Sequence, residues 1–189
     1  MANTKPSSSF LDIESGTRTL ITRSTPSGAS SVELTGFNAS LYDGYEIICH
    51  LSFAAASGDL YMRVSNDGGA TYEAGASKYK YKQIFGNNSN TSVGGNNNTG
   101  TTQLLINAEG TYGTGVANKY TSRIRFMRPD ETTKFVVSAE IAHMNTSQQS
   151  NISVMAGNCE TEIATDAVQL FPATGNFTGT ILFYGIKNA

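Results

Sequence analysis

DLYMRVSNDGGATYEAGASKYKY, residues 59–81, holds two runs of alternating residues around a Gly-rich turn. Leu60, Met62 and Val64 alternate with Tyr61 and Arg63, and further on Tyr79 and Tyr81 alternate with Lys78, Lys80 and Lys82. A period of two sends successive side chains to opposite faces, as in strands with one face on a core. Between the runs, Asp67-Gly68-Gly69 offers the positive φ that tight turns need, because glycine has no Cβ to clash. An Asp at the head of a turn can accept hydrogen bonds from amides two and more residues on. Residues 65–72 are therefore expected to form a β-hairpin built from Ser65, Asp67, Gly68, Gly69, Thr71 and Tyr72. Asp67 should bond backbone amides, Ser65 and Thr71 should tie the strand ends, and Tyr72 should pack inward.

The segment SNDGGATY also fits the pattern Ser-x-Asp-x-Gly-x-Thr-aromatic, which resembles the Asp-box of sialidases. In those enzymes the motif recurs on several propeller blades, away from the catalytic centre. Here it occurs once in 189 residues, and no repeat of about 20–50 residues accompanies it, as a propeller would require. The motif is read as a turn and not as a glycosidase.

The same period runs outward in both directions. Strands are expected at 17–23, 31–37, 45–53, 59–65, 77–85, 102–108, 119–127, 133–144, 151–157, 166–172 and 179–187. Turn clusters such as STPSGAS, RPDE and PATGN separate them. Short strands at this spacing imply an all-β protein, a jelly-roll-like antiparallel β-sandwich of about eight to ten strands. Residues 161–169 are the one weak helical candidate. Residues 17–189 form the sandwich domain, and the polar residues 1–16 are expected to be an extended N-terminal arm. Residues 86–100, GNNSNTSVGGNNNTG, are expected to be a long loop, either a surface insertion or a segment ordered by a neighbouring subunit.

Composition narrows the function. The chain is 39% hydrophobic and 15% charged, with nine Tyr and nine Phe, unlike the high charge and few aromatics of disordered chains. A formal charge of −2 gives no electrostatic footprint for nucleic acid. No apolar run reaches the roughly 18 residues of a membrane helix, so membrane insertion is not expected. The N-terminus lacks a secretory signal pattern, which implies assembly in a cytoplasm with release by lysis. Cys49 is expected to be a small buried hydrophobe, while Cys159 is harder to place. Zinc would have to draw on Cys49, His50, His143 and Cys159, but strand neighbours point to opposite faces. No paired carboxylates, phosphate loop or nucleophile motif is present, so no catalytic residue, metal or cofactor is expected. Tyr79 and Tyr81 are the candidate contacts for a sugar or receptor. The competing reading turns both to the core and the lysines to water.

Three elements carry a resemblance. LTGFNASLYDGYEIICHLSF (34–53), LYMRVSNDGGATYEAGASKYKY (60–81) and GNFTGTILFYGIKNA (175–189) resemble, in this order, elements of virion proteins of tailed bacteriophages. The resemblance implies a non-enzymatic, surface-exposed structural protein of the virion, a tail-fibre or tail-attached component, with a capsid decoration protein as the alternative. It further implies contacts with other virion proteins and a homo-oligomer, expected to be a trimer. A carbohydrate- or receptor-binding module, with a host-surface glycan as partner, is the reading from a different class.

Overall fold

The computed structural model describes residues 18–55, 59–89, 93–107, 119–145, 147 and 149–187. The expected arm, residues 1–16, lies outside them. Twelve strands are described: β1 Arg18–Ser24, β2 Val32–Leu34, β3 Tyr42–Phe53, β4 Leu60–Ser65, β5 Tyr79–Asn87, β6 Gly94–Thr101, β7 Leu104–Leu105, β8 Tyr120–Met127, β9 Thr133–Met144, β10 Ser150–Ile163, β11 Ala167–Pro172 and β12 Phe177–Lys187. They form two antiparallel sheets, one of eight strands in the order β1-β12-β3-β8-β9-β10-β5-β6 and one of four in the order β2-β11-β4-β7. The two sheets enclose one core, so the expected β-sandwich is what is observed.

Alternation explains the core. In β3, Tyr45, Ile47, Cys49, Leu51 and Phe53 point inward and are buried. They meet Ile124 and Phe126 of β8, Ile181 and Phe183 of β12, and Leu60, Met62 and Val64 of the small sheet in one hydrophobic cluster. Phe37, Tyr45, Phe126 and Phe183 stack, with ring centroids 4.6–5.8 Å apart. At such distances aromatic pairs add to the stabilisation from area burial alone.

The pairing is nested. β12 lies between β1 and β3, and β11 lies between β2 and β4. Without two added hairpins, β5–β6 and β9–β10, the strands would form two sheets of four, β1-β12-β3-β8 and β2-β11-β4-β7. Both hairpins extend the same sheet, which widens it to eight strands.

Four expectations need correction. Residues 65–72 do not close a β-hairpin, since β4 and β5 belong to different sheets. Both strands turn an apolar face inward, so they face each other across the core, and residues 66–78 carry the chain from one sheet to the other. The Asn-rich loop contains a strand, β6, paired with β5 at the sheet edge. It has little apolar surface to bury, and backbone pairing with an open edge holds it. Residues 161–169 are not helical, because β10 runs to Ile163 and β11 begins at Ala167. The expected strand at 102–108 shrinks to Leu104–Leu105 among the described residues.

Candidate functional site

The crossover after β4 is organised by Asp67. Its Oδ1 accepts hydrogen bonds from Thr71 N (2.9 Å) and Ser65 Oγ (2.7 Å), and its Oδ2 accepts from Thr71 Oγ1 (2.5 Å). Ser65 Oγ in turn accepts from Gly69 N at 3.0 Å. Gly68 and Gly69 have φ of 72° and 89°, values that a side chain would strain. The Thr71 bonds, followed by that of Ser65, hold the Asp67 carboxyl at about 2, below its ordinary range. Tyr72 is half-buried, with its hydroxyl against Gly69. Burial, then the charges of Glu33, Asp67 and Asp166, push that phenol up to about 12. The motif residues thus come together as expected, around a crossover and not a hairpin.

Sequence reasoning missed the brace. Both carboxylate oxygens of Asp166 accept from Gly68 N at 3.0 Å, across 98 residues. Asp166 N also bonds Ser65 O at 2.9 Å. No local pattern could reveal a partner so distant in sequence.

Tyr79 is wholly buried. Its hydroxyl accepts from Val64 N at 3.1 Å and donates to Glu73 O at 2.9 Å, tying the end of β4 to the middle of the crossover. It therefore has no ring surface to offer a sugar, and Tyr81 is half-buried beside it. The tyrosines face the core and the lysines face outward, because Lys80 and Lys82 occupy the opposite side of the same strand.

The outer face of the large sheet is open among the described residues. Register places Ile84, Val154, Glu140, Arg123, Ile48 and Leu182 in one row across six strands. Ile152 and Ala142 follow in the next row. Ile84, Val136, Ile152 and Val154 are 52–65% exposed. Two shallow depressions, of about 480 Å³ around Ile48, Ala142 and Ile152 and about 420 Å³ around Lys82, Lys134 and Asn158, lie on this face.

Charge on this face is unevenly shared. Arg18, Arg123 and Arg125 converge on Glu46, with the last two at 3.1 and 2.9 Å. Burial pushes the Glu46 carboxyl up, but the bonds from Arg125 and Arg18 and the charge of Arg123 more than reverse it, so it lies below its usual range. Lys80 and Lys134 likewise share Glu160, at 3.2 and 2.8 Å. More cations than carboxylates converge at each centre, which gives the face a positive surplus in a chain of net charge −2. The signals for Glu46 were local alternations in YEIICH and SRIRF, but only strand pairing could show that the two share a centre.

Among the described residues, no group of three or more His, Cys, Asp or Glu is placed to hold a metal ion. Cys49 faces the core and His50 faces out, as strand alternation requires. Cys49 and Cys159 are free, buried thiols, and burial, offset in part by Ser122, pushes Cys49 up to about 12. In comparison with known proteins, no family model and no curated sequence matches the chain.

Proposed function

We propose that this chain is a non-enzymatic structural protein of a bacteriophage virion, surface-exposed and attached to the tail or its fibres. The observation that carries the reading is the nested strand order, β1-β12-β3-β8 facing β2-β11-β4-β7. It supports a jelly-roll-like winding, an architecture common in viral capsid and lectin domains. The sequence elements resembling virion proteins occupy its centre. Within them, Tyr45 to Phe53 of β3 pair residue for residue with Phe177 to Gly185 of β12, and the crossover is pinned to the start of β11 by Asp166. The chain acts by holding and presenting, as a homotrimer on a symmetric site, in contact with other virion proteins.

A carbohydrate-binding module is the second reading, favoured by the same lectin-like order. Buried Tyr79 weakens it, the exposed apolar residues Ile84, Val136, Ile152 and Val154 of the open face are aliphatic, and the Tyr184 ring on that face is half-buried with the Arg18 guanidinium over it.

The experiment is to purify particles and locate the chain by mass spectrometry and immunogold labelling. Signal at the tail is expected. Signal over the head would favour a decoration protein, and absence from particles would overturn the virion reading. A glycan array with the isolated protein tests the second reading, for which a specific hit is the positive result.

A further inference from the structure

We propose that the open face of the large sheet receives residues 7–16 of a neighbouring copy of this chain. The inference deepens the oligomeric reading above and rests on it, since the occupant comes from a second copy.

The face combines two features that call for different partners. Ile84 and Val154 of its row, with Ile152 alongside, are aliphatic and largely exposed, and Ile48 of the same row is half-buried. Such a cluster gains by being covered, at roughly 25 cal/mol per Å² removed from water. Its surroundings carry a surplus of cations: Glu140 and Arg123 stand side by side in the same row, Lys82 lies in the next, and the three arginines on Glu46 and two lysines on Glu160 outnumber their carboxylates. The same face of a second copy, turned about a twofold axis, would set one cationic surplus against another, which specific interfaces avoid. The fitting occupant is therefore apolar and acidic.

The segment SSSFLDIESG, residues 7–16, has that chemistry. Phe10, Leu11 and Ile13 carry its apolar surface, Asp12 and Glu14 its charge, and it contains no cation. Among the described residues, Asp67, Asp166, Glu46 and Glu160 are engaged within the fold.

Geometry selects the neighbour's segment over the chain's own. β1 is the edge strand, four places from β9, and pairs Arg18 with Ile186 and Arg23 with Leu182. The depression around Ala142 lies level with Thr180, beyond the far end of β1 from Arg18. The straight path from Arg18 is about 28 Å by ordinary strand spacing and rise. Residues 10–13 can reach at most about 17–27 Å from Arg18 when fully extended.

The test uses full-length variants. One carries Val154→Asp, the other Phe10→Asp with Ile13→Asp, and both are compared with the unaltered protein by sedimentation velocity over a concentration series. Each is expected to weaken self-association at least about tenfold, the scale of losing one well-covered aliphatic anchor. Unchanged circular dichroism would verify the fold, since Val154 is already exposed. A disulfide trap then locates the contact. Chains carrying Ile13→Cys, mixed with chains carrying Val154→Cys, should give a mixed dimer under mild oxidation, well above a control with Glu33→Cys on the small sheet. Both native thiols are buried and should remain silent.

Self-association unaffected by either variant, or a mixed dimer no more abundant than the control, overturns this inference and leaves the oligomeric reading standing. A third sample, a chain carrying both Ile13→Cys and Val154→Cys, that forms an internal disulfide while the singly substituted chains form none between them would assign the face to the chain's own segment, and also overturns it. Loss of particle binding on Val154→Asp with oligomers intact would assign the face to another acidic virion protein. A full chain that is monomeric at every concentration overturns both readings.

Discussion

Asp67 does its work with one carboxylate, which accepts two bonds from Thr71 and one from Ser65. Asp67→Ala should therefore lower the urea midpoint without abolishing the fold, since the core is untouched. Its folded pKa, about 2, lies below the unfolded value of about 3.9. The sign follows: its contribution is complete above about pH 4 and is lost as pH falls through about 2. Asp67→Ala should flatten the stability curve in that window alone, and an unchanged curve would show that the serine and glycines suffice. His143 acts higher on the pH scale. It is buried in β9, and burial lowers its pKa to about 4, against about 6.5 in an unfolded chain. Between those values the unfolded chain binds the extra proton, so stability declines as pH falls from about 6.5 to about 4. The whole effect is at most about 3 kcal/mol. Urea melts at pH 7 and pH 5 should show it, and His143→Gln should remove most of the difference. Carboxylates cannot imitate this, because their unfolded values lie near or below about 4.3.

Among the elements, β3 was the most legible in sequence, because strict alternation in YEIICHLSF fixes which side chains enter the core. The same alternation settled the face of Tyr79. What sequence could not supply was pairing. Asp-Gly reads as a hairpin because the local signal is the same whether the next strand adjoins the first or lies in the opposite sheet. β6 was illegible for the opposite reason, since its Gly, Asn and Thr residues show almost no apolar alternation and its strand geometry comes from the edge of β5. The Glu46 centre needs β1, β3 and β8 assembled before three arginines can meet one carboxylate. In β12, Gly179 marks a place where the element depends on a missing side chain. Its φ is 151°, its amide donates to Pro26 O at 3.0 Å, and an added Cβ would overlap the carbonyl oxygen of His50. Either β12 or β3 would have to shift in the middle of the sheet. Gly179→Ala is expected to cost about 2 kcal/mol or more, the range for strain that packing cannot relieve. Equilibrium urea unfolding measures it, and a loss below about 0.5 kcal/mol would mean that the strand pair yields easily.

At the scale of the molecule, the two added hairpins matter because they create an open sheet face larger than the four-stranded sheet alone would have. That face carries cations in surplus, while the chain as a whole is acidic, so an approaching acidic segment is attracted before it makes contact. Exposed charges act mainly on the encounter, whereas covered aliphatic side chains hold the complex together. These contributions respond differently to salt. Raising ionic strength from about 20 to about 300 mM shortens the screening length from about 20 Å to about 6 Å. The apolar row is indifferent to that change. Self-association should therefore slow by about tenfold over this range, while dissociation changes little. Lys82→Glu should reduce the salt slope of the association rate, since Lys82 sits beside Val154 and Ile84 without itself supporting the core. Val154→Asp should instead act chiefly on dissociation. Both rates can be followed by dilution and mixing of fluorescently labelled chains. An association rate that stayed constant or rose with salt would show that the cations do not steer the encounter, and the apolar row would then have to account for recognition without them.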